Sequence, residues 1–267
     1  MRASGLLLFS LVACDRPQPL LICHNANCTG PSVARDDSLA ALSDSLALTY
    51  DGRFAYDGIE WDTFWDRAGH RCLFAHGLPH GDAVPASAAA QLIADHLATS
   101  PVPAWGGEFY TLIELKAQVG EAYSDFHTDE ELALHAECAL DMRDIIVAGS
   151  SAVTVGYLSS EPRLLKALTQ SPRWQSQPIR QLLIADIFAP YSSVVPSLSD
   201  FDVPLQAVEF HPDFMTPARR EAYRSLGLEL MEWSFVTTPE MLDAIEKWEP
   251  GFVLTNEGIL LRRWIED

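Results

Sequence analysis

The chain has 267 residues, 48% of them hydrophobic and 21% charged, with a formal net charge of −19. That length suits one large domain or two small ones, and the apolar content is enough for a full core. The acidic excess excludes a nucleic-acid binder, which needs a basic face against phosphates, and it excludes electrostatic docking on anionic lipid; a phosphate handled here would call for a locally recruited cation.

The first segment reads as an address rather than as structure. Met1-Arg2 supplies positive charge, Leu6 to Ala13 is apolar, and Leu11-Val12-Ala13-Cys14 looks like a bacterial lipobox. Residues 1–13 are therefore expected to be a lipoprotein-type signal peptide, with Cys14 lipidated and residues 14–19 a tether. Acyl chains on Cys14 would be the only membrane contact, since the apolar run is far too short to span a bilayer. The expected location is the bacterial cell envelope, facing the periplasm or the exterior. Such a compartment permits disulfides among Cys23, Cys28, Cys72 and Cys138. Cys23 can pair with Cys28, or Cys72 with either, and buried free thiols are the alternative; the sequence does not fix the connectivity.

From residue 20 onward strand-like and helix-like segments alternate. Leu20–His24 reads as a strand, Asp37–Leu48 as a helix with Leu39, Leu42 and Leu46 on one face, and Gly58–Phe64 and Cys72–His76 as strands joined by a turn at Ala68-Gly69. Ala86–Leu97 is helical and Tyr110–Leu115 a strand. Thr128-Asp129-Glu130-Glu131 is a capping box opening a helix to about Val147. The second half repeats the beat. Strands are expected at Ala152–Leu158, Gln181–Ile187, Leu205–Phe210, Leu228–Phe235 and Gly251–Thr255. Helices are expected from Pro162, Thr216-Pro217, Thr238-Pro239 and Ile259. Leu261-Arg262-Arg263-Trp264 reads as the exposed side of the last helix, and His127 and His135 as surface positions. About eight strand–helix units with no linker after residue 20 imply an α/β fold, a single-domain TIM (β/α)8 barrel over residues 20–267. No Gly-x-Gly-x-x-Gly and no phosphate-loop Gly-Lys-Ser/Thr follows any strand, which removes the main nucleotide-binding options.

Barrel chemistry sits at the carboxyl ends of strands, and that is where the informative residues fall. Glu60 and Asp62 are two apart on a strand and share a face, with Ile59 and Trp61 on the other. Two such acids repel unless a cation lies between them, and a divalent metal is the usual remedy; a solvated acidic face is the plain alternative. Cys23-His24-Asn25, Phe74-Ala75-His76-Gly77 and Ile113-Glu114-Leu115-Lys116 each end a short apolar run as well. Asp186, Glu209 and His211 lie near later strand ends.

The order His…Glu-x-Asp…His…Glu-x-Lys resembles the glycerophosphodiester phosphodiesterase family, within the phospholipase-C-like barrel superfamily. Glu232-Trp233-Ser234-Phe235-Val236 looks like that family's Trp-Thr-Val strand, and Gly251-Phe252-Val253-Leu254-Thr255-Asn256 like its closing strand. The resemblance implies that Glu60, Asp62 and Glu114 hold one Mg²⁺ or Ca²⁺ and that His24 and His76 are the catalytic acid and base. It implies that Lys116, Asn27 and Trp233 face the substrate, a small-molecule or lipid phosphodiester. The family's Arg-Gly after its first His is Asn25-Ala26 here. His24-Asn25-Ala26-Asn27 and His76-Gly77-Leu78-Pro79 look closer to the sphingomyelinase-D-like branch. The implied activity is hydrolysis of glycerophosphodiesters or related phospholipid head groups. The alternatives are a phospholipase-D-like lyase leaving a cyclic phosphate, or a barrel lipoprotein without catalysis.

Overall fold

The computed structural model describes residues 18–75, 83–100, 107–117, 127–187, 197–233 and 237–266. Their centre is a closed ring of eight parallel strands: β1 (Leu20–Cys23), β2 (Gly58–Asp66), β3 (Phe109–Lys116), β4 (Val153–Ser159), β5 (Gln181–Asp186), β6 (Ala207–Phe210), β7 (Glu229–Trp233) and β8 (Phe252–Thr255). Each pairs with the next, and β1 closes the ring by pairing with β8 (Leu20 beside Phe252) and with β2 (Ile22 beside Gly58). The α/β barrel expected from the alternation is the fold observed.

Parallel barrel strands are covered on both faces, so they read as near-continuous apolar runs. Ile22, Leu112, Leu158, Ile184, Met231 and Leu254 fill the barrel interior. Val155, Tyr157, Leu183 and Val253 face the outer layer. Seven α-helices lie among the described residues: α1 (Leu39–Leu46), α2 (Ala86–Thr99), α3 (Asp129–Gly149), α4 (Pro162–Gln170), α5 (Pro217–Ser225), α6 (Pro239–Trp248) and α7 (Gly258–Glu266). Their starts follow the sequence signals. Thr128 and Glu131 form the reciprocal capping box, and Thr216 and Thr238 cap helices that have Pro in the first turn. Gly58 has to be glycine, because a Cβ there would run into the Tyr110 backbone on β3.

Three expectations change. Arg71–Phe74 does not join the barrel; it runs antiparallel to the end of β2 and forms a hairpin outside the ring. Arg262 is buried rather than exposed, and its guanidinium donates to Asp57 Oδ2 at 2.8 Å, which also accepts from the Leu21 amide. His127 and His135 are buried rather than at the surface, and the His135 ring, on α3, meets Thr63 Oγ1 at 3.0 Å.

Cys23 pairs with Cys28 and Cys72 with Cys138, so all four described cysteines are bonded. The second bridge ties the hairpin to α3 across a sequence separation of 66. The chain-entropy argument gives a loop of that length about 4 kcal/mol, against about 2 kcal/mol for the short Cys23–Cys28 loop. We therefore expect the Cys72→Ser/Cys138→Ser double variant to lose about twice as much unfolding free energy as Cys23→Ser/Cys28→Ser in urea titrations. Equal losses would refute that ranking. No described helix is long and apolar enough to cross a membrane.

Candidate active site

At the carboxyl-terminal mouth of the barrel, alternation along β2 aims Glu60 and Asp62 inward, while Ile59 and Trp61 join the outer layer. The β2–β3 register sets Asp62 beside Glu114. One oxygen from each of Glu60, Asp62 and Glu114 lies within 4.8 Å of the other two. Glu60 and Asp62 are fully buried.

Backbone groups hold these acids in place. The Asn25 amide donates to Glu60 Oε2 at 2.8 Å, and the Asp62 amide donates to Asp37 Oδ1 at 2.9 Å. Thr63 Oγ1 donates to the Glu114 carbonyl at 3.0 Å. That hydroxyl has one proton, so His135 donates to it from Nε2. His135 stays neutral, its pKa pushed down to about 3 by burial and by His127. Lys116 lies 3.4 Å from Asp62 Oδ1 and closer still to Glu114 Oε1.

The charge balance is poor without a further cation. Burial, then Asp62 and Glu114, push Glu60 well above the ordinary carboxylate range. Glu114 rises for the same first reason; Lys116 lowers it, while Asp62 and Asp186 raise it. Burial works to lower the Lys116 ammonium, but Asp62 and Glu114 outweigh it and hold that pKa well above its usual value. Glu60 Oε1 is buried with no hydrogen-bond partner among the described residues. Three hard oxygen donors at this spacing, one of them unsatisfied, fit a Mg²⁺- or Ca²⁺-sized ion.

His24 reaches the same mouth from the turn after β1. Asn25 and Ala26 adopt left-handed φ values of 49° and 54°, unusual for non-glycine residues. The turn is fixed by the Cys23–Cys28 bridge and by Ser45, whose hydroxyl donates to the Ala26 carbonyl and accepts from the Cys28 amide. Asn256, at the end of β8, donates through Nδ2 to the carbonyls of His24 (3.2 Å) and Asn27 (2.7 Å). Its Oδ1 therefore faces His24 Nδ1 at 3.2 Å and accepts the proton there. The Trp233 indole, which can only donate, points at His24 Nε2 over 2.7 Å. His24 is thus the Nδ1-protonated tautomer, with its lone pair on the Nε2 side, toward the mouth.

The structure brings together Glu60, Asp62, Glu114 and Lys116, and it sets Trp233 against His24, whose neighbour Asn25 holds Glu60. Asn27 sits beneath them, fully buried, with its amide on Asp36 Oδ1 and the Ser32 carbonyl. His76 and Cys14 lie outside the described residues. The motifs gave Asn256, the end of the closing-strand pattern, and Asp37 no role in the site. Asn256 had a visible signal, a polar residue directly after the last strand, but its partner His24 lies 232 positions away.

The fold and its mouth define a class: a closed parallel barrel with a carboxylate cluster, a lysine and a histidine at the carboxyl ends of its strands. No family model matches the sequence, and no curated protein matches it. Among solved structures, the chain is similar to a phosphodiesterase from Oleispira antarctica determined in complex with the product sn-glycerol-3-phosphate. That match has 9% identity and a TM-score of 0.62, and covers 93% of this chain and 97% of the other. It is also similar to the glycerophosphodiester phosphodiesterases of Thermotoga maritima (14% identity, TM-score 0.56, 92% and 98% covered) and Agrobacterium tumefaciens (14%, 0.54, 91% and 98%). At such identities the shared property is the fold.

Proposed function

We propose that the chain is a metal-dependent phosphoric diester hydrolase acting on glycerophosphodiesters or related phospholipid head groups. One observation carries the reading: Glu60, Asp62 and Glu114 converge beside Lys116, with the amide of Asn25, next to His24, bonded to Glu60, at the mouth of a barrel shared with structures of phosphodiesterases. Glu60, Asp62 and Glu114 would hold one Mg²⁺ or Ca²⁺. When bound, such a cation polarises a phosphoryl oxygen and offsets negative charge developing on it.

The chain's own groups do the rest. Lys116 sits between two of the three acids and can place its ammonium against a second phosphoryl oxygen. His24 Nε2 has the lone pair on the mouth side and takes the proton from the attacking oxygen, while Nδ1 keeps its proton on Asn256. For that step the Trp233 indole N–H turns from His24 to the substrate. His76 is the candidate for returning a proton to the leaving oxygen. That the Oleispira phosphodiesterase was determined in complex with sn-glycerol-3-phosphate supports a small phosphorylated ligand for this chain. We further propose the cell envelope as the location, through a lipid on Cys14; two disulfides suit an oxidising compartment.

The test is phosphorus NMR of products from a panel of sn-glycerol-3-phosphodiesters, with EDTA-treated protein and then with added Mg²⁺ or Ca²⁺. The expected result is cation-dependent appearance of a phosphomonoester. A cyclic phosphate that persists would move the assignment to the lyase alternative. No turnover of any diester with either cation would remove the hydrolase reading.

A further inference from the structure

The strand that carries Glu60 and Asp62 changes partners beside them. Pairing of β2 with β1 runs only to Ile59, beside Cys23, and its pairing with the hairpin strand Arg71–Phe74 begins at Thr63. Glu60 and Asp62 lie in the gap, where β3 is the strand that flanks β2 among the described residues. One face of α3 reaches this stretch from outside the ring. Glu131, His135 and Cys138 stand four and three positions apart, so they share a side of the helix. Each makes a different link to β2 or to the chain just beyond it. Glu131 takes the Arg67 guanidinium, Cys138 is bonded to Cys72, and between them His135 meets Thr63 Oγ1 at 3.0 Å. The outer two links fasten the helix. The middle one touches the site: Thr63 directly follows Asp62, and its hydroxyl donates to the Glu114 carbonyl at 3.0 Å.

A stable core does not need this pair. Thr63 and His135 are both fully buried, and His135 Nδ1 has no hydrogen-bond partner among the described residues. An imidazole buried with one ring nitrogen unmet costs free energy that a leucine in its place would not. What an apolar pair could not do is direct a proton at the Glu114 main chain. The Thr63 hydroxyl has one proton and two lone pairs, so a donor on its far side, His135 Nε2, fixes which way it points.

We infer that His135 is a positioning residue for the cation site, holding Asp62 and Glu114 at ligand spacing through the Thr63 hydroxyl. The inference rests on the cation-binding half of the hydrolase reading, and it adds a residue on a helix outside the barrel that sets the affinity. The test titrates Mg²⁺ alone into the full chain by calorimetry and follows thermal melting in EDTA. His135→Leu and Thr63→Val are each expected to bind Mg²⁺ at least about tenfold more weakly than the wild type. The double variant should lose no more than either single one, because both remove the same link. His135→Gln, whose side-chain amide can donate to the hydroxyl, should recover most of the affinity. Cys72→Ser/Cys138→Ser is the control for general loosening: it should melt lower yet bind Mg²⁺ as the wild type does. On a diester that the wild type hydrolyses, His135→Leu should lower kcat at saturating Mg²⁺ by about tenfold or more, with KM little changed.

Thr63→Val stays closest to the native shape and carries the test if His135→Leu does not fold; wild-type Mg²⁺ affinity in it overturns the inference. So does an affinity lost equally in His135→Leu, His135→Gln and the cysteine variant, which would make this face of α3 a structural brace. A wild type that binds neither Mg²⁺ nor Ca²⁺ removes the inference together with the metal-dependent reading. If Mg²⁺ binding depends on His135 and no diester is turned over, the positioning role stands and the hydrolase reading fails.

Discussion

Glu60→Gln is expected to lose divalent-cation binding and to lower kcat/KM by about a thousandfold or more, while its metal-free form is at least as stable as the wild type. The two halves have one cause. Glu60 is fully buried, its Oε1 has no hydrogen-bond partner among the described residues, and Asp62, Glu114 and Asp37 repel it. A bound divalent cation turns that repulsion into attraction, and several kcal/mol of charge stabilisation at a phosphoryl oxygen corresponds to a rate factor of about a thousand. Without the cation, an ionised Glu60 is an uncompensated buried charge, and a neutral amide of equal size removes the penalty. Gln keeps an oxygen for the Asn25 amide, now 2.8 Å from Glu60 Oε2. Calorimetric Mg²⁺ titration and thermal melting in EDTA decide the matter. If the variant binds Mg²⁺ as the wild type does, Glu60 is not a ligand. If it melts well below the wild type in EDTA, Glu60 is a structural acid whose ionised form the fold requires.

Much of this arrangement is legible in one dimension because a strand maps sequence parity onto space. Glu60-Trp61-Asp62 and Glu114-Leu115-Lys116 alternate between mouth and outer layer, so spacing alone puts each polar pair on one face. The eightfold alternation then places both faces at one rim, and the described residues bear out that geometry. What was not legible depends on closure of the ring. Asn256 gains its meaning from His24, and Arg262 from Asp57, at separations of 232 and 205 residues. Locally, Leu261-Arg262-Arg263-Trp264 is an ordinary surface pattern, and only the buried carboxylate of Asp57 pulls one of its arginines inside. His135 misled for a similar reason. A histidine on a long acidic helix reads as solvent-facing until Thr63 is found against it. Cys72 and Cys138 were visible as thiols, but their pairing depends on where the hairpin beyond β2 folds back.

Glu232 supplies the other large effect, this time on stability. It lies on β7 between Met231, which faces the barrel interior, and Trp233. Its neighbour two residues back, Leu230, packs among Phe210, Tyr223 and Trp248 in the layer under the helices, so Glu232 points into that layer. It is fully buried, and neither carboxyl oxygen has a hydrogen-bond partner among the described residues. Burial pushes its pKa up to about 8. The folded value lies above the unfolded one, near 4.3. The stabilising contribution of the protonated acid is therefore fully present below about pH 4.3 and is lost as pH rises through about 8. Each pH unit in that window removes at most about 1.4 kcal/mol, or about 3 kcal/mol in all between pH 6 and pH 9. Glu232→Gln keeps the size and removes the titration. Urea unfolding of both proteins in EDTA at pH 6, 7.5 and 9 should show the variant gaining on the wild type as the pH rises, by about 3 kcal/mol from the lowest value to the highest, with other titrating groups cancelling in the difference. A difference that stays constant across the three values would mean that Glu232 is ionised and compensated in the folded protein.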